Sequence, residues 1–77
     1  MVDAVLDWDR IIHKNVRSKD MEDVGNVFSI AGDIITIMGG KVREYNIPKS
    51  HIEGFNGSEV FLDIPYDELR NYEIKSS

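Results

Sequence analysis

A chain of 77 residues holds one domain at most, and folding at that length buries only roughly 60–65% of the unfolded surface, so the core must be small. Hydrophobic residues at 42% and charged residues at 30% exclude a disordered chain, and the lack of cysteine excludes disulfides and thiolate zinc sites and fits a reducing compartment. The net charge is −5 and acids outnumber bases in both halves, which weighs against nucleic acid, because phosphate binding draws on lysine and arginine.

Residues 1–15 form an N-terminal segment without a clear pattern: Val2, Val5, Leu6 and Trp8 fit a helical turn or an incoming strand. Asn15 to Arg17 lead into a polar turn over Ser18 to Asp23. The run VGNVFSIA, Val24 to Ala31, is rich in strand formers, and Gly25 inside it predicts a bulge or a close backbone approach. Gly32-Asp33 then predicts a tight hairpin into a strand over Asp33 to Met38, which Gly39-Gly40 ends.

Val42 to Ile47 is the next strand, with Val42, Glu44 and Asn46 on one face and Arg43, Tyr45 and Ile47 on the other. Pro48 lacks an N–H and stops it. Ser50 to Glu53 read as a connection, and Asn56-Gly57 as the centre of a type I′ turn. Glu59 to Ile64 alternate most clearly, which places Val60, Leu62 and Ile64 in the core and Phe61 on the opposite face between two acids. Pro65, Asp67 and Glu68 suit a helix start, so a short C-terminal helix is predicted, followed by a tail over 73–77.

The longest uncharged run, Ile34 to Gly40, is too short for a membrane helix, and the acidic start lacks a basic secretory n-region. A soluble cytoplasmic protein without membrane insertion is expected.

No motif meets the requirements of a catalytic, cofactor or metal site. Gly40-Lys41 lacks the upstream glycine and downstream hydroxyl of a phosphate loop, having Ile35 and Val42 there. Asp20, Glu22 and Gly25 fit a calcium loop in part, but Val24 and Ala31 stand where ligands are needed. His13 and His51 have no thiols to join them, and Ser50 and His51 point apart in extended chain. Asn56-Gly57-Ser58 reads as a turn rather than a glycosylation acceptor. The expected function is therefore non-enzymatic, with no cofactor.

Surface features remain. Phe61 on a polar face, and Ile34 and Met38 on whichever side of their strand lies outside, are either covered by the terminal helix and the N-terminal segment or are candidate contacts; Phe55 and Tyr66 complete the partner-binding set. Lys14, Arg17 and Lys19, a stretch without acids, are the candidate RNA contacts of an alternative reading.

The segments VRSKDMEDVGNV, DIITIMGG, YNIPKSHI and SEVFLDIPYDEL together resemble the PRC-barrel family, over Val16 to Leu69. Met21 departs from the pattern, because many members carry glycine there. The resemblance implies a small all-β barrel over residues 16–72 with a short C-terminal helix, and no active site. It also implies an adaptor or assembly module: relatives serve photosynthetic reaction centres, ribosome maturation and archaeal cell division. A stand-alone archaeal member would bind a cell-division or other assembly protein, or its own copy as a homodimer. The alternative it implies is an RNA- or ribosome-associated maturation module.

Overall fold

The computed structural model describes residues 8–40 and 43–74. It opens with a 3-10 turn, Trp8–Ile11, and continues with six strands: β1 (Asn15–Arg17), β2 (Asp23–Ala31), β3 (Ile34–Gly39), β4 (Arg43–Pro48), β5 (Ile52–Phe55) and β6 (Glu59–Leu62). A 3-10 turn at Lys49–His51 joins β4 to β5, and a longer one follows β6 at Tyr66–Tyr72. The strands form one sheet in the order β4-β3-β2-β1-β6-β5. All neighbours are antiparallel except β1 and β6, whose parallel pairing (Val16 opposite Val60) joins the two ends of the sequence.

The sheet is curled but not closed, which corrects the expected barrel: β4 and β5 stand at its two ends. Pro48 has no N–H to carry pairing onward, and the chain turns away at once through Lys49–His51. The free side of β4 meets the chain's C-terminal part instead. Tyr45 bridges Glu73, and the Ile74 N–H donates to the Glu44 carbonyl at 2.7 Å.

The inner face holds the core, in which Val16, Val27, Ile35, Ile37, Ile47, Val60, Leu62 and Leu69 are buried. Ile11 joins them without exposed surface, and Trp8 packs alongside, so the N-terminal segment belongs to the core from residue 8 on. Val2, Val5 and Leu6 lie outside the described residues, as do Val42 and most of the tail.

Two bulges reset the alternation of β2. The register against β1 skips Val24, and the register against β3 skips Phe28. Each extra residue shifts the inward positions by one, so Val24, Val27 and Ile30 face the core at intervals of three rather than two. Gly25 makes this possible. Its φ is +139°, and a Cβ there would lie 2.1 Å from the Met38 carbonyl oxygen, so the close approach read from the sequence is met.

The Gly32-Asp33 hairpin forms as expected, with Ala31 opposite Ile34. The second hairpin differs from the type I′ turn expected at Asn56-Gly57. Asn56 is not at positive φ; it pairs through its N–H with the Glu59 carbonyl, which makes Gly57-Ser58 the central pair with Gly57 at φ +98°. Its side-chain oxygen accepts from the N–H groups of Ser58 (2.9 Å) and Glu59 (2.7 Å), so asparagine acts as the corner of the turn. The expected connection over Ser50 to Glu53 is also half strand, because β5 begins at Ile52.

The C-terminal helix is not α-helical. Tyr66–Tyr72 winds as 3-10 turns, too few residues for cooperative α-helix, and Pro65 precedes it in extended geometry (φ −64°, ψ 152°). Leu69 anchors it in the core.

Candidate functional site

The outer face of β2, β3 and β4 is where apolar side chains meet water. Pairing places Asn26 opposite Met38, Ser29 opposite Thr36 and Ala31 opposite Ile34, all outward, with Glu44 and Asn46 beside them on β4. Met38 is 40% exposed and Ile34 36%. Phe28, the extra residue of its bulge, is 60% exposed, more than any other large apolar side chain among the described residues. Between them Thr36 Oγ donates to Asn46 Oδ1 at 3.0 Å, which satisfies these polar groups within the face.

The structure thus brings two of the five partner-binding candidates, Ile34 and Met38, onto one surface. Tyr66 is 39% exposed but lies elsewhere, on a cleft of about 250 Å³ shared with Asp23, Gly39, Arg43 and Tyr45. Hydrogen bonding to Tyr45 holds the Arg43 guanidinium above its ordinary pKa, and the negative charge of Glu73 adds to this. Phe55 is half-buried against the core.

Phe61, for which the sequence left open a place beneath a neighbouring element or at the surface, is covered: only 9% of it is exposed. It forms a wall of an open cleft of about 350 Å³ with Lys19, Met21, Glu53 and Leu62. Alternation misjudged it because both faces of β6 are covered; Val60, Phe61 and Leu62 are all buried in succession. Phe28 was missed for the opposite reason. Its only signal is that Val24, Val27 and Ile30 recur every third residue inside a strand, which requires extra residues somewhere in the run.

Of the candidate RNA contacts, Arg17 is engaged. Its Nε donates to Glu59 Oε2 at 2.7 Å, and this bond, with the charges of Glu59, Asp23 and Glu22, raises the guanidinium pKa. Lys14 is half-buried and Lys19 exposed. The turn that carries Lys19 is built on Ser18, whose buried hydroxyl donates to the Asp20 carboxylate and accepts from the Glu22 N–H (3.0 Å). Asp20 also receives the Tyr66 N–H at 3.1 Å. The Ser18 bond first, then the Tyr66 bond, hold the Asp20 carboxyl below the usual range.

His51 is the one imidazole beside a carboxylate among the described residues: Nδ1 lies 2.9 Å from Asp63 Oδ1, and the ring meets Tyr72 edge-on at 5.7 Å. The pair is half-exposed and ties the β4–β5 connection to the segment after β6. Among the described residues no three His, Asp or Glu side chains converge as metal ligands, and no helix is long and apolar enough to cross a membrane. In comparison with known proteins, the chain matches no family model, no curated protein and no solved structure.

Proposed function

We propose that the chain is a non-catalytic protein-binding module that docks a partner on the outer face of β2, β3 and β4. The observation that carries this reading is Phe28: a bulge pushes the largest apolar side chain of the strand into water, where it adds nothing to the core and stands on the same face as Met38 and Ile34. An aromatic and a methionine among mostly uncharged polar groups, with Glu44 at the margin, are the composition of a protein-contact centre. The resemblance of Val16 to Leu69 to the PRC-barrel family supports the same class and extends it to an archaeal cell-division or other assembly adaptor. The RNA-associated alternative gains no comparable support, because Arg17 is paired to Glu59.

The test is quantitative affinity capture with the parent chain and a Phe28→Ser/Met38→Ser double variant at equal folded concentration. Partners retained by the parent and depleted at least about thirtyfold by the variant, roughly the loss of one hot-spot contact, support the face. An identical captured set contradicts it.

A further inference from the structure

An open sheet edge presents unpaired N–H and C=O groups and is a template for another strand. β4 is such an edge, and the chain covers it with its own residues: the Ile74 N–H donates to the Glu44 carbonyl at 2.7 Å and Glu73 bridges Tyr45. The accepting carbonyl shows that Glu44 directs its backbone away from β3. In an antiparallel ladder alternate residues share that direction, so Asn46 presents its N–H and C=O outward as well, and Pro48, next in phase, has no N–H to offer. Two β4 strands meeting antiparallel about Tyr45 would set Glu44 of one copy against Asn46 of the other, a self-complementary pairing about a two-fold axis.

We propose that Glu73–Ile74 is a displaceable strap that keeps the edge of β4 from pairing with β4 of a second copy of this chain. The cover by Glu73–Ile74 is one bridge, of which the Ile74 hydrogen bond to Glu44 is part, and it continues from the Tyr66–Tyr72 turns, which pack against β4 and stay anchored by Leu69. Its removal therefore changes association more than folding. The strap is independent of partner docking on the outer face.

The test is Ile74→Pro in the full chain, which deletes the donor to Glu44, followed by sedimentation equilibrium over a range of concentrations. Self-association about tenfold stronger than in the parent is expected, the worth of one backbone hydrogen bond. Adding Asn46→Pro should abolish the gain. An unchanged mass profile, or a gain that survives Asn46→Pro, overturns the proposal. Should the variant not fold, amide exchange of the parent decides: the Ile74 amide should exchange at least about tenfold faster than those of Ile35 and Ile37, through local opening. Equal protection would show that no separate strap exists.

Discussion

The β2–β3–β4 half and the β1–β6–β5 half bury their apolar residues differently. In β3 burial alternates, Ile35 and Ile37 inside and Ile34 and Met38 outside, whereas in β6 Val60, Phe61 and Leu62 are buried in a row. The second half is covered on its outer side by the Ser18–Asp20 turn and the chain around it, which leaves its apolar residues committed to folding. Among the described residues no such cover lies over β2 and β3, and Phe28, Ile34 and Met38 are exposed there. A hydrophobic residue in this fold acquires its meaning from what lies over its face, which alternation alone does not reveal.

The difference can be broken from the largest effect down. Gly25→Ala should be the most damaging single change in the first half, costing about 3 kcal/mol in urea unfolding, since φ +139° is closed to alanine and the added Cβ meets the Met38 carbonyl. A cost below about 1 kcal/mol would show that the bulge is not fixed by Gly25. In the second half Phe61→Ala should cost about 2 kcal/mol, less than a sealed core phenylalanine because water can enter through the cleft. A neutral result would return Phe61 to the surface.

Met21→Gly should act in the other direction. Met21 stands at φ 67° with 57% of its surface exposed, so glycine removes left-handed strain of about 1 kcal/mol and gives back part of it as unfolded-state entropy, for a net gain of roughly 0.5 kcal/mol. A loss of stability would place the Met21 side chain in a contact that its exposure does not suggest.

Much of the fold is legible in the sequence where a local rule is enough. Gly32-Asp33 makes its hairpin, Pro48 ends β4, and the close approach at Gly25 follows from the glycine itself. The features that escaped depend on the neighbouring strand. Val24 and Phe28 are extra only with respect to β1 and β3, and the parallel pairing of β1 with β6 spans most of the chain. Openness of the sheet at β4 likewise depends on distant chain, since Pro48 ends the strand and the Ile74 N–H, far along the sequence, occupies its free side at Glu44. In the candidate site, Ile34 and Met38 were readable from alternation, Phe28 was hidden by its bulge, and Phe61 was misplaced by cover from a turn distant in sequence.

The central claim is that Phe28 serves the surface and not the core, and the unfolding free energy of Phe28→Ser tests it most directly. The exposed bulge position predicts a value within about 0.5 kcal/mol of the parent in urea titration with an unchanged slope. A loss of about 2 kcal/mol or more would mean that Phe28 packs as a core residue, and the binding face built around it would fall.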